Sequence, residues 1–147
     1  MPNELRLQSL VVRAVNSHGG FAFKLSNKFL VGVPDLLIHL PKTGTGIWEV
    51  KSCEMGKLRE QFTLKVTSLQ DKFLRVMSKA GGTCGVISFI EIGRDVFMAA
   101  YQYDIIAYKD AFLKKFVVSG KSHKVLPRGR REKTIVSIMG EAYGRPI

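Results

Sequence analysis

The chain has 147 residues, 46% of them hydrophobic, and a formal net charge of +11. That size and apolar content fit one ordinary domain with a proper core. No apolar run reaches the ~18 residues of a transmembrane helix, and so positive a balance favours a polyanion, nucleic acid ahead of acidic membrane.

Asn3 is a suitable N-cap for a helix over residues 4–17, with Leu7, Leu10, Val11 and Ala14 as its apolar stripe and Gly19-Gly20 as its stop. Glu4 is the only acid in that helix and favours the positive end of its dipole. Phe21 to Leu25 alternates as a strand does, and Ser26-Asn27-Lys28 reads as a turn. Lys24 and Lys28 flank the next segment and are candidates for phosphate contact, with ordinary solvated lysine as the alternative.

Gly32-Val33-Pro34-Asp35 leads into Leu36 to Leu40, an apolar run suited to a central strand covered on both faces. His39 within it reads as a core histidine. Pro41 to Gly46 reads as the connecting loop, and Ile47-Trp48-Glu49-Val50-Lys51 as the second strand of a hairpin. Trp48 and Val50 point one way, Glu49 and Lys51 the other. Closing the loop with Leu40 opposite Gly46 sets Asp35 opposite Lys51, on the face that carries Glu49. Any even shift keeps Asp35 and Glu49 on one face as direct or diagonal neighbours, within about 8 Å; an odd shift separates them. Two carboxylates so placed can reach one hard cation such as Mg²⁺. Lys51 beside them can orient a water or neutralise a phosphate. The plainer alternative is a solvated strand face, with Asp35 a turn residue.

Residues 52–61 read as an exposed connection. Thr67 with Gln70 three positions on fits a capping box opening a second helix, whose expected buried stripe is Leu69, Phe73, Val76 and Ala80 and whose stop is Gly81-Gly82. Thr83 to Ile92 is strongly β-forming, Gly93-Arg94-Asp95 is a turn, and Val96 to Tyr101 is a further strand. Tyr103 to Phe116 reads as helical. From Lys114 to Lys133 there are eight Lys and Arg residues and a single acid, Glu132. That segment is expected to be an irregular DNA-contacting arm, with Arg128, Arg130, Arg131 and Lys133 its main contacts. Ile135 to Met139 reads as a last strand and a guess at a subunit contact. Strands alternating with helices imply an α/β fold with a mixed sheet flanked by helices. Cys53 and Cys84 are expected as reduced thiols, and the three histidines lack zinc spacing. The first residues lack the layout of a secretory signal, so a cytoplasmic place of action is expected, in a host cell if the chain is virus-encoded.

Pro34-Asp35, a spacer, then Glu49-Val50-Lys51 resembles the PD-(D/E)xK nuclease superfamily. Gly32-Val33-Pro34-Asp35, Glu49-Val50-Lys51-Ser52 and a later Leu69-Gln70 on a helix are most similar to the virus-type replication-repair (VRR-NUC) nucleases, and Holliday-junction resolvases share that core. The resemblance spans roughly residues 3–90 and implies a restriction-endonuclease-like core in a single domain, 1–147. It implies a Mg²⁺- or Mn²⁺-dependent endonuclease, a homodimer acting on branched DNA. Asp35 and Glu49 would hold the ion with the carbonyl of Val50, Lys51 would serve the chemistry, and Glu4 and Gln70 would stand near the metal. Glu4 can equally be a helix-dipole residue, and Gln70 half of the capping box. Two other readings remain: a non-catalytic nucleic-acid-binding domain on a degenerate nuclease fold, and a basic adaptor.

Overall fold

A computed structural model describes residues 4–25, 32–103 and 115–143. In chain order these form α1 (Glu4–Ser17), β1 (Phe21–Lys24), β2 (Leu36–Leu40), β3 (Gly44–Glu54), β4 (Gln61–Lys65), α2 (Ser68–Lys79), β5 (Thr83–Ile92), β6 (Asp95–Gln102), β7 (Lys115–Ser119), β8 (Lys124–Val125) and α3 (Arg131–Ala142). Six strands make one sheet in the order β1-β2-β3-β5-β6-β8, and β4 pairs with β7 in a second. The β3–β5 pair is parallel and the other pairs are antiparallel, so the main sheet is mixed and the α/β expectation holds.

The pleat gives the main sheet two unlike faces. One carries Leu36, Ile38, Trp48, Val50, Ile87, Phe89 and Met98, all fully buried beneath α1 and α3. Deep in this layer the Trp48 indole N–H donates to the Tyr143 hydroxyl (3.0 Å), which donates to the Ile38 carbonyl (2.6 Å). The other face carries Glu49 and Lys51, with α2 against it. Among the described residues no helix is long and apolar enough to cross a membrane.

Several expectations are corrected. The hairpin turn takes only three residues, with Leu40 opposite Gly44 rather than Gly46. Lys42 closes it in the left-handed region at φ 66°, which costs a side-chain-bearing residue energy and leaves no trace in the sequence. The strand β2 is covered on one face only, and His39 is exposed, its Nδ1 2.7 Å from the Thr45 hydroxyl across the pair. Ile135 to Met139 lies in α3, not a strand. Ile135, Ile138 and Met139 stand at helical spacing, are buried against the core, and so cannot form a subunit contact. Of the connection expected over 52–61, residues 52–54 continue β3 and Gln61 opens β4. Of the helix expected over 103–116, Tyr103 lies in a non-helical segment, Lys115 and Phe116 lie in β7, and 104–114 fall outside the described residues. Nor is the basic segment simply irregular, since β7, a 3₁₀ turn at Gly120–Ser122 and β8 occupy much of it.

The helix α2 turns a different side inward than its apolar stripe suggested. Leu69 and Val76 are 50% and 61% exposed, whereas Asp71 and Leu74 are buried. Its inner side is held by polar contacts. The Asp71 carboxylate accepts from Arg75 Nε (2.8 Å) and from the Tyr103 hydroxyl, which meets the requirement that a buried charge be paired.

Candidate metal centre

Extending the β2–β3 register past Leu36 and Trp48 sets Asp35 opposite Glu49. The shift from the expected alignment is two residues, so parity is kept and both carboxylates lie on one face. Asp35 Oδ2 accepts from the Val50 N–H at 2.9 Å. In an extended strand the N–H and C=O of one residue point to the same edge, so the Val50 carbonyl also faces the Asp35 side. The strand β3 runs on past this point beside β5, whereas β2 begins only at Leu36.

Gly32 helps fix Asp35. Its φ is +89°, and a Cβ there would stand 2.7 Å from Leu69 Cβ and 2.9 Å from the Leu69 backbone. Only glycine allows the chain to pass this close to the first turn of α2. The loop carrying Asp35 is thereby packed against the helix that carries Gln70.

Glu49 is only 2% exposed. Its Oε2 accepts from Gln70 Nε2 at 2.8 Å and lies 3.3 Å from Lys51 Nζ. Gln70 Oε1 in turn accepts from Lys51 Nζ at 3.1 Å and from the Thr67 N–H at 3.0 Å, while Thr67 Oγ1 accepts from the Gln70 N–H. The expected capping box is formed, and the same Gln70 side chain contacts Glu49 and Lys51. Glu49 Oε1 is buried and has no hydrogen-bond partner among the described residues.

A buried carboxylate oxygen without a donor is costly unless a cation, or a proton shared with Asp35, completes it. Burial is the main cause that raises Glu49 to about 7, and the charge of Asp35 adds to it; Lys51 opposes both. Burial also raises Asp35, against the Val50 N–H, Lys51 and a side-chain hydrogen bond with Glu49. A buried and a half-buried carboxyl group that resist ionising together are a recognised pattern of functional sites. The donor set fits a hard divalent cation: paired carboxylate oxygens and a backbone carbonyl.

Glu4 starts α1 and raises Glu49 weakly, through its charge. Among the described residues, however, no three His, Cys, Asp or Glu side chains converge as a metal-ligand set, so Glu4 stands near the site without joining it. Lys24 is exposed and turned toward α1, donating to the Ser9 hydroxyl at 2.8 Å. Lys28 lies outside the described residues. Arg128, Arg130, Arg131 and Lys133 gather around a cavity of about 690 Å³ at the start of α3. Arg94, which the sequence offered only as part of a turn, lines the same cavity. No local signal could have found it, since the β5–β6 turn meets α3 only in the folded chain.

No family model matches the sequence, and neither does any curated protein. Among solved structures the chain is similar to the Holliday junction resolvase Hjc of Archaeoglobus fulgidus. The TM-score is 0.45 and the identity 14%, over 82% of this chain and 90% of that one.

Proposed function

We propose that the chain is a metal-dependent endonuclease that hydrolyses DNA phosphodiester bonds, with branched DNA as its substrate class. The observation that carries this is Glu49. One of its oxygens is fixed by Lys51 and Gln70, the other is buried without a partner, and Asp35 lies in register across the strand pair. The Asp35, Glu49 and Lys51 pattern, embedded in Gly32-Val33-Pro34-Asp35, is also what resembles the VRR-NUC and resolvase nucleases.

In this proposal Asp35, Glu49 and the Val50 carbonyl hold Mg²⁺ or Mn²⁺. When bound, the ion polarises a phosphoryl oxygen and lowers the pKa of a coordinated water. Lys51 places its ammonium beside the same carboxylates, where it can orient the attacking water and steady the charge that builds on the phosphorane. Gln70 holds both Lys51 and Glu49, so that neither must reorganise as the reaction proceeds. A junction has two strands to cut and the chain carries one such site, so the active species is proposed to be a two-fold dimer. Light scattering that finds a monomer with and without DNA would contradict paired incision.

The test is cleavage of radiolabelled four-way and linear DNA in Mg²⁺, Mn²⁺ or EDTA. Incision of the junction that needs the metal and is lost in Asp35→Ala is the expected result. Tight junction binding without incision in either metal would favour the other reading, a DNA-binding domain on a degenerate nuclease fold.

A further inference from the structure

The cavity at the start of α3 is lined by Arg94, Arg128, Arg130, Arg131 and Lys133, against the single acid Glu132. Three separate pieces of chain bring these cations together: the β5–β6 turn, the turn after Pro127, and the first turn of α3. Arg131 donates to the Arg94 carbonyl at 3.5 Å, tying two of the pieces. Some cations elsewhere are paired, as in Arg6–Glu91, Arg75–Asp71 and Lys124–Glu141. Among the described residues none of the five cavity cations is in an ion pair. The Arg131 Nε is buried and without a hydrogen-bond partner. The N-cap residue, Arg130, gives α3 no side-chain cap, whereas Thr67 and Gln70 cap α2 fully. Unneutralised guanidinium groups, an unsatisfied buried N–H and an uncapped helix start all favour an anion in one place.

We infer that this cavity is a second nucleic-acid site that grips a non-scissile backbone phosphate of the duplex, at a distance from the metal centre. The assignment rests on the proposal that the chain acts on DNA. The cations form an arc broader than one small anion needs, and contacts of this type position a duplex without reading its sequence. The strand register gives the distance. Glu54 pairs with Glu91, just before the Arg94 turn, and lies five residues along β3 from Glu49. At ~3.3 Å per residue the Arg94 side of the cavity is then roughly 16 Å from the catalytic carboxylates along the strand direction. B-DNA carries one phosphate per ~3.4 Å of axis on each strand, so about five phosphates separate the two contacts.

Binding to fluorescein-labelled duplex and four-way junction is measured by anisotropy in EDTA across a salt series. No cleavage is needed, so failure here and failure of the nuclease assignment are distinguishable. Arg128, Arg130 and Lys133 are exposed, and replacing all three with Gln leaves the fold intact, as a thermal melt verifies. Each lost phosphate contact removes about 0.9 from the salt slope, so the triple variant flattens it by roughly two to three. Arg94→Gln alone flattens it by about one. A charge-matched control, Lys57, Lys72 and Lys79 all to Gln, leaves the slope near wild type. On arms shorter than ~5 base pairs the triple variant and wild type bind alike, because the second contact is out of reach. Equal flattening by the control, or a wild-type slope in the triple variant, overturns the assignment. So does a thermal shift of wild type, but not the triple variant, by inorganic phosphate when the DNA slopes are equal: the cavity would then hold small phosphate, not backbone.

Discussion

Glu49→Gln replaces the buried carboxylate with a neutral group of the same shape, and it separates the site's electrostatics from its packing. Folding raises Glu49 from 4.5 to about 7. The native state therefore binds a proton that the unfolded chain releases between those two values. The sign follows from linkage: the unfolded chain binds fewer protons in that window, so stability falls as pH rises through it, and levels off above about 7. At ~1.36 kcal/mol per pKa unit the full effect is about 3 kcal/mol, most of it incurred between pH 5 and 7.5. Glu49→Gln removes this cost. In EDTA at pH 8 the variant is expected to melt higher than wild type by roughly 3–10 °C, the lower end allowing for imperfect placement of the new amide. At pH 5, where folded wild type keeps Glu49 mostly protonated, the gap should shrink to a small fraction.

Added metal should close most of this gap. Mn²⁺ at a hundred times its Kd stabilises wild type by about 2.7 kcal/mol and should leave Glu49→Gln nearly unmoved, with cleavage lost. Scanning calorimetry at pH 5, 6.5 and 8, with EDTA and with Mn²⁺, reads every part of this. A variant less stable than wild type at pH 8 in EDTA, or a gap that does not depend on pH, would refute the electrostatic account. The same carboxylate would then be an ordinary buried group held by Lys51 and Gln70.

How far the sequence revealed this site depended on which property was being read. The carboxylate pair was legible because strand parity survives an even slip: a turn two residues shorter moved Asp35 from opposite Lys51 to opposite Glu49 and changed neither residue's face. The turn itself was not legible, because nothing local predicts that Lys42 adopts positive φ. Ile135-Val136-Ser137-Ile138-Met139 misled through its β-branched residues; burial of Ile135, Ile138 and Met139 at helical spacing outweighs so weak a preference. The β4–β7 pair joins residues 61–65 to 115–119, a long-range pairing that no short window contains. The helix α2 is the most instructive miss. Ranking its sides by apolarity pointed Leu69 and Val76 inward, yet Gln70 and Asp71 face the sheet because they bind Glu49, Lys51 and Tyr103. A helix docked by polar contacts over a charged strand is what a site requires, and local rules fail at such places.

Three further outcomes follow from the same contacts. Lys51→Ala should lower the cleavage rate at saturating metal at least tenfold while changing Mn²⁺ affinity by calorimetry much less; a large fall in affinity with the rate unchanged would contradict its role. Gly32→Ala should destabilise by about 1–3 kcal/mol in a denaturant melt, because it adds both a left-handed strain and a 2.7 Å approach to Leu69; a neutral result would mean the Asp35 loop is free to move off α2. Gln70 offers the sharpest division between structure and chemistry, since one side chain serves both. Gln70→Ala deletes the contacts to Glu49, Lys51 and the Thr67 N–H together, so stability should fall by about 1–2 kcal/mol, the usual worth of a cap, along with activity. Gln70→Glu keeps an acceptor for the Thr67 N–H but sets a second carboxylate against the Oε2 of Glu49. It should keep most of the helix stability at pH 5, lose it in EDTA as pH rises toward 8, and cut the cleavage rate in Mn²⁺ throughout. If the Glu variant instead cleaves as wild type does while the Ala variant only unfolds more easily, Gln70 is a capping residue alone, and Lys51 is oriented by Glu49 without its help.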